Sequence, residues 1–245
     1  MAHSKGGVGE NTSVSIVVLA FNESLGLITT VESIHQALDD KFPEYEIIIV
    51  NDGSEDDTGQ IAEEITNTDS RVKVVHNQQN MGCGFTFMRG VEEASYNYVW
   101  LIPGDGEITR DSIKTIADHI GTADMVIPYV LNSGIRPLSR RIISLGYTTI
   151  LNILFWKRLH YYNGPCVIKT QPAKKAPRIN SRGFAFMAPI LLKLIKQNYS
   201  YIEVGIELQP RRYGRPSVNS LLNIFSALKT MTWFFWSVNF GERSE

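Results

Sequence analysis

The amino-acid sequence predicts an α/β fold with a doubly wound, mostly parallel sheet and helices on both faces. Short apolar segments alternate with segments of helical character over the first 128 residues, which is the order of repeated βαβ units. The apolar segments, such as VSIVVLA at 14–20, are continuous and rich in β-branched residues, as in parallel strands that helices cover on both sides. Polar residues follow each of the first four predicted strands, where such sheets bind their ligands.

Five strands and four helices are expected in this half of the chain. In order they are strand 14–20, helix 24–39, strand 46–50, helix 56–67, strand 72–76, helix 84–95, strand 98–102, helix 109–120 and strand 124–128. The second helix has a start signal, because Ser54 to Thr58 resembles a cap followed by first-turn acids. Asp56 and Asp57 are therefore expected to be structural. Farther along, the Pro- and Lys-rich stretch 169–178 is predicted to be a mobile loop.

The chain is expected to divide into three parts. Residues 1–13 lack the apolar core of a secretory signal and are predicted to be a flexible leader. Residues 14–217 are predicted to form one domain. Residues 218–245 are predicted to form an amphipathic helix, and Trp233 and Trp236 favour a position at a membrane interface. A helix packed on the domain core would show the same pattern.

The net charge of −1 hides a strong asymmetry. Residues 1–124 hold 21 acids and 7 bases, whereas residues 125–202 hold 12 bases and no acid. A long basic stretch without acids is typical of a surface that meets an anion, although a solvated basic face would look the same. No nucleic-acid-binding motif accompanies it, so nucleic acid is not an expected partner.

Several function classes are disfavoured by missing motifs. The turn after the first strand, AFNESLG, lacks the G-x-G-x-x-G of dinucleotide-binding enzymes, and no P-loop is present. Only two cysteines occur, Cys83 and Cys166, so neither a disulfide framework nor a zinc site is expected. A reducing, cytoplasmic location is predicted.

Four motifs occur in order: VSIVVLAFNE, EIIIVNDGSEDDT, the N-x-G-x-G of 80–84, and WLIPGDGE. Together they resemble family 2 glycosyltransferases, especially the dolichol-phosphate mannose synthase and bacterial polyprenyl-phosphate glycosyltransferase branch. The resemblance covers residues 14 to 218 and implies a GT-A fold, which is Rossmann-like. It also implies an inverting hexosyltransferase that uses a nucleoside diphosphate sugar and a divalent cation, Mg²⁺ or Mn²⁺.

The resemblance places the nucleotide-sugar site at the strand ends. The implied residues are Ala20, Asn22, Glu23, Asp52, Gly53, Asn80, Gly82, Gly104 and Asp105. The Asp52 carboxylate suits base N–H or ribose hydroxyl donors, and the residues near Gly82 allow close approach of a ligand. A helix cap at Asp52 and a plain tight turn at Gly82 are the structural alternatives.

The metal site implied by the resemblance consists of Asp105 and Glu107. In the family a D-x-D at this strand end holds the cation, and here Pro103 replaces its first Asp. Carboxylate oxygens suit Mg²⁺ or Mn²⁺, and Glu107 supplies a second carboxylate. An ordinary acidic turn built on P-G-D-G is the alternative.

The acceptor phosphate is assigned to arginines. Arg141 and Ser144 match the branch's R-x-x-S spacing, with Arg136 and Arg140 as weaker candidates. The strand IEVGIELQP is followed by Arg211 and Arg212, of which Arg211 matches the family's phosphate-binding arginine. Asp105, Arg141 and Arg211 are the predicted catalytic residues. Salt bridges to the acidic N-terminal half would be the structural explanation of these arginines.

The lack of acidic residues in most of the second half of the predicted domain bears on which acceptor the enzyme uses. A hydroxyl acceptor normally requires a general base, and residues 125–202 contain no Asp or Glu. A phosphate acceptor is already anionic, which favours transfer to a polyprenyl phosphate by a protein peripheral to the cytoplasmic membrane surface. Transfer to a saccharide hydroxyl and a catalytically silent nucleotide-sugar-binding module are the alternatives. Self-assembly into a homo-oligomer is left open.

Overall fold

The computed structural model describes residues 12–176 and 184–211 of the chain. The strands are β1 (Val14–Ala20), β2 (Tyr45–Asn51), β3 (Val72–His76), β4 (Tyr98–Pro103), β5 (Met125–Val130), β6 (Val167–Lys169) and β7 (Tyr201–Ile206). The helices are α1 (Ser24–Leu38), α2 (Thr58–Thr68), α3 (Cys83–Glu93), α4 (Arg110–Ala117), α5 (Leu138–Phe155), α6 (Thr170–Lys174) and α7 (Met187–Lys196). Two short 3₁₀ turns lie at Ser133–Ile135 and Phe184–Phe186.

The strands form one sheet in the order β3-β2-β1-β4-β6-β5-β7. Only β6 runs antiparallel to its neighbours β4 and β5, and the other pairs are parallel. The prediction of a doubly wound, mostly parallel sheet is confirmed. The chain moves outward from β1 to β3 and then returns to pair β4 with β1. The carboxyl ends of β1 and β4 therefore meet at a switch point, where this class of sheet opens a crevice for ligands.

Apolar side chains fill both faces of the sheet. On one face α1 and α4 bury residues such as Leu27, Ile34 and Ile113. On the other face α3 and α7 bury residues such as Phe87 and Leu191. The alternation of strand side chains between these two clusters explains why the strand sequences are continuously apolar.

Several predicted boundaries need correction. Stretch 169–178 is not a mobile loop where the structure describes it, because Lys169 ends β6 and Thr170–Lys174 forms the helix α6 with Pro172 and Ala173 buried. Thr12 and Ser13, assigned to the leader, are buried, and the Ser13 carbonyl accepts a hydrogen bond from the Tyr98 N–H. The ordered domain thus includes at least two residues before β1. The predicted C-terminal helix at 218–245 lies outside the described residues.

Among the described residues, none of the helices is both long and apolar enough to cross a membrane.

Close packing of α3 on β1 gives the first prediction. A Cβ atom at Gly90 would lie 2.3 Å from Cγ1 of Val17, a fully buried side chain. We expect Gly90→Ala to lower the free energy of unfolding by about 1–3 kcal/mol, because the helix must move away from the strand. Urea denaturation measures this change.

The matched control is Gly146→Ala, also within a helix, where a new Cβ would meet nothing within 4 Å. This substitution should raise stability by about 0.5–1 kcal/mol through helix propensity. Equal effects of the two substitutions would contradict the packing argument.

Candidate active site at the carboxyl edge of the sheet

The loops that leave β1, β2, β3 and β4 meet at the switch point. Asp52 N–H donates to the Ala20 carbonyl at 2.8 Å, and Gly104 N–H donates to the Leu19 carbonyl at 2.8 Å. These bonds continue the parallel pairing just beyond the strands. They hold the predicted residues Ala20, Asp52 and Gly104 at one edge of the sheet.

Asp52 organises the loop that follows β3. Its carboxylate is buried and accepts hydrogen bonds from Asn77 Nδ2 at 2.7 Å and from the N–H groups of Met81 and Gly82 at 2.9 Å each. The structure thus gives Asp52 a structural task that differs from the helix cap considered above. Its contact with a nucleotide stays a prediction. Asn77 was missed by sequence reasoning, although it follows β3 in the same polar loop.

Backbone conformation keeps this loop close to the end of β2. Gly53 has a φ of 68°, and a Cβ there would lie 2.5 Å from the carbonyl carbon of Gln79. Gly82 begins α3 with a φ of 89°. The neighbouring Asn80 is exposed at the rim. Gly53 is therefore required by a close backbone approach and Gly82 is favoured by its positive φ, and a ligand contact at Gly53, Asn80 and Gly82 remains a prediction.

Side chains tie the β1 loop to the β2 loop. Asn22, at a φ of 54°, donates its N–H to Ser54 Oγ and accepts from Glu55 N–H at 2.9 Å. Asp56 accepts from the N–H groups of Ser24 and Thr58 at 3.3 and 3.0 Å. These contacts agree with a structural role for Asp56. They also correct the predicted start of the second helix, which begins at Thr58.

A cluster of charged groups lies between β1, β4 and the end of β7. Arg211 forms an ion pair with Glu23, and its Nη1 lies 4.0 Å from Oδ2 of Asp105. The three side chains are only 18%, 13% and 15% exposed, respectively. Asp105 Oδ1 accepts the Glu107 backbone N–H at 3.1 Å, and the charges of Asp105 and Arg211 act on the Glu107 carboxyl group. The predicted residues Glu23, Asp105, Glu107 and Arg211 are thus brought together.

Burial controls the protonation of two of these carboxyl groups. Desolvation raises the pKa of Glu23 to about 7, against the opposing effect of the Arg211 guanidinium, while Asp105 and Asp56 add to the rise. Desolvation and then the Asp105 charge also raise the pKa of Glu107, which Arg140, Arg136 and Arg211 oppose. Glu23 is therefore poised to change protonation near neutral pH.

The charges that act on Glu107 indicate which of the predicted acceptor arginines lie close to the cluster. The largest positive influences on Glu107 come from Arg140, Arg136 and Arg211. The Arg141 side chain is exposed on α5, and Ser144 follows it on the same helix, partly exposed. The structure thus favours Arg136 and Arg140, the weaker sequence candidates, over Arg141 as neighbours of the cluster. Arg212 lies outside the described residues.

The carboxylates fit a divalent cation only in part. Within residues 12–176 and 184–211, no group of three or more His, Cys, Asp or Glu side chains is arranged to hold a metal ion. Asp105 and Glu107 nevertheless supply hard oxygen donors at the switch point, next to cations that would oppose excess negative charge. Mg²⁺ typically binds through one or two carboxylates and completes its shell with substrate phosphates and water. The pair suits that kind of site.

Comparison with known proteins identifies the family. Residues 15–175, which include every strand from β1 to β6 apart from Val14, match the sequence profile described as Glycosyl transferase family 2. The chain belongs to glycosyltransferase family 2. The prediction of an enzyme, a hexosyltransferase of the family 2 type, is confirmed by this membership. Arg211 lies beyond the matched segment.

Similar family 2 proteins differ in how much of the chain they match. The polyprenol monophosphomannose synthase of Mycolicibacterium smegmatis is 25% identical over 211 residues, which are 81% of this chain and 78% of that protein. The glycosyltransferase GlyG of Streptococcus pneumoniae is 30% identical over 116 residues, which are 46% of this chain but only 38% of that protein.

A solved structure supports the GT-A architecture. Glucosyl-3-phosphoglycerate synthase from Mycobacterium tuberculosis, in complex with Mn²⁺, uridine diphosphate and phosphoglyceric acid, superposes with a TM-score of 0.67. It shares 17% sequence identity, and the match covers 91% of this chain and 78% of that one. At this identity the likeness concerns the fold, and it confirms the predicted GT-A class.

The environment of Glu23 gives the second prediction. Because its pKa rises from 4.5 to about 7 on folding, the native state retains a proton that the unfolded chain has released. Glu23 should therefore lower the free energy of unfolding progressively as the pH rises from about 4.5 to about 7. In Glu23→Gln this contribution is absent, so the stability curve should decline less steeply over that window than the wild-type curve. Urea denaturation at several pH values measures the difference.

The control is Glu55→Gln, which alters an exposed carboxylate in the neighbouring loop. Its stability curve should run parallel to that of the wild type. If the Glu23→Gln curve is also parallel, the carboxyl group of Glu23 is not perturbed as described.

Proposed function

We propose that this protein transfers a hexose from a nucleoside diphosphate sugar to a polyprenyl phosphate, with inversion at the anomeric carbon. The observation that carries the proposal is the meeting of the carboxylates of Asp105 and Glu107 with the guanidinium groups of Arg211, Arg136 and Arg140 at the switch point. Acids and arginines in one crevice suit a reaction in which one phosphate group leaves and another attacks.

The donor fits the side of the crevice that carries the acids. The loops at Asp52–Gly53 and Asn80–Gly82 would receive the nucleoside, together with Asn22 and with Glu23 of the charged cluster. Asp105 and Glu107 would hold a Mg²⁺ or Mn²⁺ ion, which would neutralise charge on the departing diphosphate. The similar solved structure contains Mn²⁺ and uridine diphosphate, which supports this class of donor.

The acceptor fits the arginine side. Arg136 lies just before α5 and Arg140 lies in its first turn, and the positive charge of each acts on the Glu107 carboxyl group. An acceptor phosphate bound near these two arginines would therefore lie beside the donor diphosphate. Arg141 and Ser144 are farther along the same helix and would bind its outer oxygens. The similarity to a polyprenol monophosphomannose synthase supports a lipid-linked phosphate.

The reaction requires no proton acceptor on the protein. An anionic phosphate oxygen forms the bond to the anomeric carbon, the bond from that carbon to the diphosphate oxygen breaks, and the nucleoside diphosphate leaves. Arg211 would stabilise the negative charge that moves onto the leaving group. The lack of acids at 125–202 is consistent with such a mechanism.

A second candidate function is favoured by one observation. Glu23 has a pKa of about 7 and lies beside Asp105. A carboxylate with such a pKa could act as a general base that takes the proton of a hydroxyl acceptor such as a saccharide. Its ion pair with Arg211 opposes that role, because a paired carboxylate is a poorer proton acceptor. Transfer to a polyprenyl phosphate remains the better supported function.

An acceptor comparison tests the proposal and is the third prediction. Labelled nucleotide sugars are incubated with Mn²⁺ and with polyprenyl phosphate, the neutral polyprenol, a saccharide or phosphoglyceric acid. We expect product only with polyprenyl phosphate, and a rate that rises with pH as the phosphate loses its second proton, at a pKa of ~6 by analogy with other phosphate monoesters. Glu23→Gln should weaken donor binding, because Glu23 belongs to the proposed nucleotide-sugar site, but it should not abolish transfer at saturating donor.

Other outcomes of the comparison have distinct meanings. Efficient transfer to the saccharide, abolished by Glu23→Gln, would establish the second candidate. Nucleotide binding without transfer to any acceptor would indicate a silent binding module.

The fourth prediction concerns Asp105. Asp105→Asn removes a negative charge from the cluster, and we expect the transfer rate to fall on the order of 100-fold because metal-diphosphate stabilisation is weakened. The matched control is Asp111→Asn on α4, whose carboxylate is 83% exposed and pairs only with its neighbour Arg110 among the described contacts. Thermal unfolding checks that both variants fold. Near wild-type turnover in Asp105→Asn would contradict the assignment.

A further inference from the structure

Helix α5 has an apolar outer face. Only Thr148 and Leu151 are buried among its 18 residues. Leu138, Ile142, Leu145 and Ile153 are between 61% and 69% exposed. Their spacings of four, three and eight residues place them on one stripe of the helix. A surface helix normally carries polar residues on its outer face, so an exposed apolar stripe indicates a surface that binds a partner.

The end of α5 adds an exposed indole. Trp156 closes the helix with a φ of 52° and is 93% exposed. A positive φ is costly for a bulky residue, and a fully exposed tryptophan gains nothing from burial in the protein. Tryptophan side chains are enriched at membrane–water interfaces, where the ring contacts acyl chains and the N–H stays hydrated.

Cations flank this apolar stripe at both ends. Arg141 lies in the first turn of α5 beside Leu138 and Leu145, and Lys157 and Arg158 follow the last turn. No Asp or Glu occurs between 125 and 202, so no acid within that stretch pairs with these cations. An apolar stripe bordered by arginine and lysine matches a bilayer surface that carries anionic headgroups.

We propose that the outer face of α5 docks on the surface of an anionic membrane, lying in the interface without crossing it. The role of this docking in the reaction rests on the proposed function. The first turn of α5 carries Arg140, whose positive charge acts on the Glu107 carboxyl group. Docking would therefore bring phosphates at the headgroup level of the membrane beside the charged cluster. The contact itself requires only an apolar stripe and its cations.

A second copy of the chain fits this surface less well. Both ends of α5 are basic, so parallel and antiparallel pairing would each bring like charges together. Such juxtaposition opposes association. The charge pattern therefore favours lipid.

The fifth prediction is a vesicle-binding test with the full chain. Vesicles of phosphatidylcholine, with or without phosphatidylglycerol and always free of polyprenyl phosphate, are mixed with protein and floated on a density gradient. We expect binding that increases with phosphatidylglycerol content and falls with salt. Ile142→Gln/Leu145→Gln/Ile153→Gln should weaken binding on the order of 10- to 100-fold, because three apolar side chains lose their burial in lipid.

The matched control is Leu25→Gln/Ile28→Gln on α1. These side chains are also exposed, but α1 packs on the opposite face of the sheet from the cluster that contains Leu151 of α5. The control should bind vesicles like the wild type. Lys157→Gln/Arg158→Gln should reduce binding only where phosphatidylglycerol is present.

Three results would overturn the docking. The triple variant could bind vesicles as well as the wild type. It could instead convert a wild-type dimer into a monomer in size-exclusion chromatography with light scattering, which would identify a second copy as the partner. It could also be much less stable to urea than the wild type, which would show that other parts of the chain cover the stripe.

Failure of the proposed function gives a different pattern. With a short, water-soluble polyprenyl phosphate the triple variant should retain wild-type turnover, and with the long acceptor in vesicles it should lose turnover together with binding. Vesicle binding without transfer to either acceptor would refute the proposed function and leave the docking surface intact.

Discussion

The first turn of α1 packs directly on the turn that follows β4, and this contact fixes the acids of the site. A Cβ at Gly26 would lie 2.7 Å from the Gly104 carbonyl oxygen and 2.9 Å from the carbonyl carbon of Asp105, so only glycine allows the approach. Thr30 strengthens the contact, because its hydroxyl accepts the Gly106 N–H and donates to the Gly26 carbonyl. Glu23, just before α1, is thereby held beside Asp105 without help from a ligand.

Clustering of carboxylates has a cost that the second half of the chain offsets. Glu23, Asp105 and Glu107 come from the acidic N-terminal half, and burial, with a further contribution from the charge of Asp105, raises the pKa of Glu23 and of Glu107. Arg211 arrives from the end of β7, more than a hundred residues later, and pairs with Glu23. Arg140 and Arg136, from the acid-free stretch, also oppose the rise in the pKa of Glu107, so part of the charge asymmetry along the sequence meets across the crevice.

Sequence reasoning succeeded where the signal was local. Strands β1 to β5 were predicted within two residues at either end because buried parallel strands are continuously apolar. Asp52 and Asp105 were correctly placed at the carboxyl edge of the sheet because each comes just after a strand, while their contact with a ligand stays a prediction. Sequence reasoning failed at β6 and α6, which are too short for periodicity, and α6 lies within the Pro- and Lys-rich stretch that was predicted to be a loop. Two features depend on how distant loops pack against one another: the hydrogen bond from Asn77 to Asp52, and the choice of which arginines lie near Glu107. No local sequence pattern predicts such contacts.

The pairing of Arg211 with Glu23 explains how one arginine could serve both the free protein and a phosphate ligand. Burial disfavours the ionised form of Glu23. The cost of desolvation therefore offsets part of the Coulombic energy of the ion pair between Arg211 and Glu23. A diphosphate carries more charge and more acceptor oxygens than a carboxylate, and it can bind the guanidinium fork through two parallel hydrogen bonds. On the proposed function, Glu23 keeps Arg211 pointed into the crevice while the donor is absent. Because its pKa lies near 7, Glu23 can then take up a proton when the guanidinium turns to the phosphates, and no buried charge is left unpaired.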